Sequence, residues 1–132
     1  MESAFRTAVI EWLRADSSLG TMLNAIVEDG PSPAPAPTLS LAASASADWS
    51  TKSQKGRELR LALELLDRSD TPERTAGIAR RIEERIATLA PAQTGYRVVV
   101  TQFLRSRSER RAGALRAMLF EYRFLILEIP TE

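Results

Sequence analysis

The chain contains no cysteine and no histidine. Without thiols, neither a disulfide framework nor thiolate chemistry is possible. Without imidazole, Ser-His-Asp triads, most zinc sites and the commonest general base are excluded. Glycine is scarce, at six residues, and no Walker loop or dinucleotide-binding Gly-rich fingerprint is present. An excess of one charge is lacking too. Eighteen Lys and Arg oppose 17 Asp and Glu, for a net charge of +1. The sequence pI of about 8.2 lies below the strongly basic balance of a dedicated nucleic-acid binder. No apolar run reaches membrane-spanning length, and the N-terminus lacks the apolar core of a signal peptide. The expectation is a protein that stays in the cytoplasm of its producing cell or leaves in a particle assembled there.

Carboxylates are the remaining route to catalysis, and their placement is poor. Glu83 and Glu84 are adjacent on a helix and do not face each other. Glu28, Asp29, Asp67 and Asp70 fall at turns, where acidic residues are common for structural reasons. No enzyme activity, cofactor or metal is expected.

What is present suits one soluble domain spanning residues 1–132. Hydrophobic residues make up 44% and charged residues 27%, ordinary values for a globular protein. A chain of this length buries about two-thirds of its unfolded surface, enough for a modest single core.

Phe5, Ala8, Val9, Trp12 and Leu13 recur at helical spacing, predicting an amphipathic helix over about 3–15 with Glu2, Arg6, Glu11 and Arg14 on its wet side. Leu19, Met22, Leu23 and Ile26 extend this into a short second helix, followed by a brief strand at Ile26–Glu28. Pro31, Pro33, Pro35 and Pro37 alternate with Ser and Ala, the pattern of a stiff extended connector. Leu39, Leu41 and Ala43 then alternate with Ser40, Ala42 and Ser44 in a strand reaching about Ser46. Its small side chains would let another surface approach closely.

Leu59, Leu61, Leu63 and Leu65 alternate with Glu58, Arg60, Ala62 and Glu64, the period of a half-buried strand. The same residues are good helix formers, and Leu59, Ala62, Leu63 and Leu66 also lie at helical spacing. Local pattern leaves both readings open. Downstream, Thr71-Pro72-Glu73 reads as a helix start, with Thr71 as N-cap and Pro72 in the first turn. Ile78, Ala79, Ile82, Ile86 and Leu89 form the buried stripe of a helix over about 72–89; Arg80, Arg81, Glu83, Glu84 and Arg85 read as its solvated face.

Two long strands end the chain, Tyr96–Arg105 and Leu115–Ile129. The second places Met118, Phe120, Tyr122, Phe124 and Ile126 on one face, and Leu115, Leu119, Leu125 and Leu127 on the other. It must therefore be central, covered on both sides, or part of a subunit contact. The turn between them is polar and basic, and strands this long outrun a small core, so the hairpin is expected to project.

This order of elements, with Asp48-Trp49-Ser50-Thr51-Lys52 and Gly56-Arg57-Glu58 leading into an alternating strand that ends in Asp67, resembles the phage tail terminator family. These are the tail completion proteins of long-tailed phages and of phage-like gene transfer agents. The resemblance resolves residues 58–67 as a strand. It departs locally, since Pro37-Thr38-Leu39 lacks the aromatic usual at the step into that strand. It implies an α+β fold: an antiparallel sheet of about four strands, with two main helices on one face and a projecting C-terminal hairpin. It also implies a structural virion component at the head-tail junction. Such proteins form a homo-oligomeric ring, typically a hexamer, that caps the tail tube and docks it to the head connector, with DNA passing through the lumen.

Within that reading, Asp48, Trp49, Lys52, Arg57 and Glu58 are the candidate subunit or partner interface. Trp49 either anchors a contact, as Trp commonly does at interfaces, or lids the edge of the core. Arg105, Arg107, Arg110 and Arg111 form a basic hairpin tip, either solvated or touching an acidic neighbour or DNA. No aromatics interleave with them, so stacking on single-stranded bases is not expected. Two competing readings remain at this point: another head-tail joining protein such as a connector stopper, and a nucleic-acid-binding module using the Arg hairpin.

Overall fold

Phe5, Val9 and Leu13 line one stripe of α1 (Glu2–Arg14) and are buried, as helical periodicity requires. The computed structural model describes residues 1–130. A short α2 (Ser17–Met22) follows, its N-cap Asp16 accepting from the Leu19 amide at 3.0 Å. Next come β1 (Ala25–Val27), β2 (Thr38–Asp48) and β3 (Gly56–Arg68). After α3 (Pro72–Ala87), the chain closes with β4 (Tyr96–Arg110) and β5 (Leu115–Glu128). The fold is α+β. Residues 56–68 are a strand, so the alternation of leucines prevails over their helix propensity.

The strands form one sheet in the order β1-β2-β3-β5-β4. Five strands replace the four expected, and the sheet is mixed, because the short β1 runs parallel to β2 over Thr38–Ser40. All other pairings are antiparallel. β5 is central, one of the outcomes its two apolar faces allowed: it pairs with β3 from Gly56↔Leu127 to Arg68↔Leu115, and with β4 on its other side.

The helices cover one face. Leu59, Leu61, Leu63 and Leu65 of β3 meet Phe120, Tyr122, Phe124 and Ile126 of β5 beneath Phe5, Leu13, Ile78, Ile82 and Ile86. Phe5 packs edge-on against Phe124 with ring centroids 4.8 Å apart. Each large side chain so buried contributes about 1.5–3 kcal/mol.

Several local expectations are corrected. Thr71 does not cap α3 with its side chain; its hydroxyl donates to the Arg68 carbonyl at 3.1 Å. Asp67 is no exposed turn residue. It is fully buried and accepts from Thr75 at 2.6 Å, from the Arg68 amide at 2.8 Å and from Arg74. Burial pushes its carboxyl up, but the Arg74 and Thr75 hydrogen bonds outweigh that and hold it below the usual range. Nor is the polar side of α3 wholly solvated. Arg81 reaches Asp16, and Arg85 lies 3.7 Å over the Trp12 ring while accepting the indole N–H on its carbonyl at 2.8 Å. Finally, β4 runs five residues past the expected Arg105, so Arg107 and Arg110 stand on a strand rather than in a turn. From Gln102 to Ser108 β4 is exposed, whereas β5 stays paired with β3 as far as Leu115 and buries Ala117, Phe120 and Tyr122, so of the hairpin's far half only the β4 strand is open. No helix among the described residues is long and apolar enough to cross a membrane.

Candidate functional site

The connection between β2 and β3 is a tightly self-bonded loop. The Trp49 amide donates to the Gly56 carbonyl at 2.9 Å, and the Thr51 amide to the Gln54 carbonyl at 2.8 Å. The Ser50 hydroxyl donates to Asp48 at 2.6 Å and accepts from the Gly56 amide at 3.1 Å. Only glycine fits at position 56, where a Cβ would lie 2.5 Å from the Trp49 carbonyl oxygen and 2.8 Å from Leu127 Cδ2. The loop is thereby pressed onto the end of β5, with the Glu128 amide donating to the Lys55 carbonyl at 2.8 Å. Trp49 is 36% exposed and lies outside the core cluster and the residues packed on it.

The neighbouring charges are mostly engaged within the chain. Arg57, on the helical face, pairs with Glu2 of α1 at 3.3 Å. Glu58, on the opposite face, accepts from Arg123 of β5 at 2.6 Å. That hydrogen bond is the main cause holding the Glu58 carboxyl below its ordinary range. Lys52 is exposed and makes no ion pair among the described residues.

The face of the sheet away from the helices carries a lattice of alternating charge. Glu58 bridges Arg123 and, at 3.7 Å, Arg60. Arg105 pairs with Glu121, Arg107 with Glu109 at 3.1 Å, and Arg111 with both Glu64 and Glu109 at 2.8 and 2.6 Å. The basic tip is therefore largely neutralised. Only Arg110 of its four arginines lacks an acidic partner among the described residues. Ion pairs this open to solvent add little to stability, so their effect is on the field. A charge already paired releases few counterions from a polyanion, which weakens the case for a dedicated nucleic-acid surface.

Sequence reasoning located the arginines but missed Glu64, Glu121 and Arg123. The signal was available: once β3 and β5 are strands, their charged residues alternate with the core leucines and aromatics and must share one face. Also missed were Val99, Phe103 and Leu104, which β4 exposes at 41%, 42% and 37%. They fall at two register shifts, Val98/Val100 and Phe103/Arg105, which strict alternation does not anticipate.

Among the described residues, no acidic cluster is arranged to hold a metal ion. A family model described as tail completion protein gp17 matches residues 7–127. A solved chain with a TM-score of 0.80 and 22% identity, covering 96% of both chains, comes from a structure described as the virion of a native gene transfer agent (GTA) particle. The comparison with curated proteins gives no match.

Proposed function

Since the chain belongs to the tail completion protein gp17 family, we propose that it is a structural virion protein that terminates and joins the tail of a phage or gene transfer agent particle. Six copies close into a ring at the head-tail junction. One rim matches the last ring of the tail tube, the other matches the head connector, and DNA passes through the lumen. The mechanism is surface complementarity, not catalysis. The carrying observation is the extent of the likeness: the family match runs from the middle of α1 to Leu127 in β5 and so takes in all or most of every element of the sheet and its helical cover.

The charge lattice on the open face suits such a lumen, because paired arginines offer DNA a wet surface without holding it. Head-to-tail contacts between identical subunits generate closed rings when the rotation closes. The isolated protein is expected to be monomeric or weakly associating and to assemble on tube ends, since a cap that polymerised alone would defeat its purpose.

Deleting the gene in a particle-producing strain tests this. Micrographs should show tails of uncontrolled length separated from filled heads, and adding back purified protein should restore joining. Deletion particles with normal tails joined to heads would overturn the proposal, as would open-ended filaments of the purified protein.

A further inference from the structure

Two long stretches of sheet edge are left without a partner among the described residues. β1 pairs with β2 only over Thr38–Ser40, so Leu41–Asp48 has no strand on its outer side. At the other edge, β4 is covered only near its start. There the Val98 amide donates to the Pro91 carbonyl at 2.8 Å and the Gln93 amide to the Tyr96 carbonyl at 3.1 Å. From Val99 to Arg110 no strand among the described residues pairs with the outer side of β4. Exposed strand edges of this length are templates for another chain.

The free stretches lie at the same height. Following the registers across the sheet, Ala47 aligns through Glu58 and Leu125 with Val100. Ala45 aligns through Arg60 and Arg123 with Gln102, and Ser44 through Leu61 and Tyr122 with Phe103. Ala43 aligns through Ala62 and Glu121 with Arg105. The bare part of β2 thus faces the same rows in which β4 exposes Val99, Phe103 and Leu104. Where β1 covers β2, the matching rows of β4 are polar and charged instead, with Arg107, Ser108 and Glu109. Between Leu41 and Asp48 one edge holds only Ala and Ser, whereas the other carries Val99, Val100, Phe103 and Leu104 among polar residues, so small side chains stand against large ones.

We propose that β4 of one subunit pairs with β2 of a second copy, residues 99–106 against 41–48, joining the two sheets edge to edge. The direction follows from the topology. Strands β2, β3, β5 and β4 alternate in direction, so a sheet continued around a ring sets β4 antiparallel to the neighbour's β2. This deepens the ring proposed above and rests on it for closure.

The absence of cysteine makes a clean test possible. Ala43→Cys, Ala45→Cys and Ala47→Cys are prepared on one edge, Val100→Cys and Gln102→Cys on the other. All five lie on the open face, and opposed strand residues come within disulfide reach. Circular dichroism checks that each variant folds. Variants of the two edges are mixed pairwise at high concentration, and assembled particles are oxidised with a double variant carrying one cysteine on each edge.

Disulfide dimers are expected in at least one mixture and not with either component alone, and a ladder is expected from the double variant. A folded Leu104→Lys background should abolish cross-linking while leaving the melting temperature within a few degrees. No dimer from any mixture and no ladder in particles would overturn edge pairing. So would dimers formed by a β4 variant alone, which would mean like edges pair about a two-fold axis. A ladder that closes at a number other than six would support edge pairing while removing the six-fold ring. Correctly joined tails without any cross-link would leave the ring and remove the edge pairing.

Discussion

Arg81 of α3 donates to both carboxylate oxygens of Asp16, the residue that caps α2 through the Leu19 amide. One buried carboxylate thus serves a helix N-terminus and a tie between helices 65 positions apart. The Arg81 hydrogen bond, more than burial, sets its acidity, lowering the pKa from 3.8 to about 2. A depressed carboxylate stabilises the fold above its unfolded pKa, and that contribution is lost as pH falls through the folded value. Each tenfold change in acidity is worth about 1.4 kcal/mol, so Asp16→Asn should cost roughly 2 kcal/mol at neutral pH. The wild-type advantage should shrink as pH drops from about 4 toward 2. Urea midpoints of both proteins across that range measure it. A gap that stays constant with pH would remove Asp16 as the titrating group.

Asp67 anchors the turn from β3 into α3. Its carboxylate receives Thr75, Arg74 and the Arg68 amide while fully buried. Asp67→Asn keeps the shape but removes the charge and points an amide donor at other donors. The expected cost is about 2 kcal/mol, or roughly 6–10 °C in melting temperature for a domain of this size. A melt within one degree of wild type would show that the turn holds without this carboxylate.

Periodicity carried the two main helices, because burial on one face leaves a repeating mark, whereas the leucine strand also fitted a helix and was resolved only by the family resemblance. Phe5, Val9 and Leu13, and Ile78, Ile82 and Ile86, were readable as core without any structure. What stayed hidden was relational. Nothing local distinguishes Asp67, buried and triply bonded, from Asp70, which pairs with Arg68 at the surface. Arg81 and Arg85 looked like solvated positions because their partners, Asp16 and Trp12, come from the other end of the chain. The interface candidates were legible only in part: Trp49 stood out as an aromatic among polar residues. The bulges that expose Val99 and Leu104 depend on how β4 meets β5.

Tyr122 buries a hydroxyl that has no hydrogen-bond partner among the described residues, and burial raises its pKa above the ordinary phenol value. Its ring does the packing, edge-on to Phe103 at 5.4 Å and stacked with Phe124 at 5.9 Å. Tyr122→Phe removes the unsatisfied oxygen and keeps both contacts. Stability should stay level or rise by up to about 1 kcal/mol. A denaturation curve showing a loss above that size would mean that the hydroxyl has a partner in solution.

The arginine tip tests whether the far half of the hairpin touches anything. Arg107, Arg110 and Arg111 are replaced together by Ser. Arg107 and Arg111 make ion pairs that are open to solvent, so folding should survive with little change in melting. Removing them leaves Glu64 and Glu109 unopposed and turns the patch acidic. Contact with an acidic partner or with passing DNA predicts a fall in particle yield or DNA delivery. Normal yield and delivery at an unchanged melting temperature would assign the tip to solvent.

Trp49 gives the sharpest separation of roles. Its loop is fixed by Ser50, Thr51 and Gly56 through hydrogen bonds that the indole does not make. The ring also lies apart from the core cluster, so truncation should leave the subunit folded. Trp49→Ala is expected to shift the monomer's melting temperature by no more than a few degrees. An interface aromatic cut back to Ala commonly costs about 2 kcal/mol or more, roughly a 30-fold weakening of one contact. In a closed ring that loss recurs at every interface, so capping should fail although each subunit is intact. Tails of irregular length unattached to heads are the expected phenotype. A core-lid role predicts the opposite order, with the monomer melting early and assembly lost only as a consequence. Melting and tail length read in the same variant separate the two, and normal joined tails would remove Trp49 from any interface.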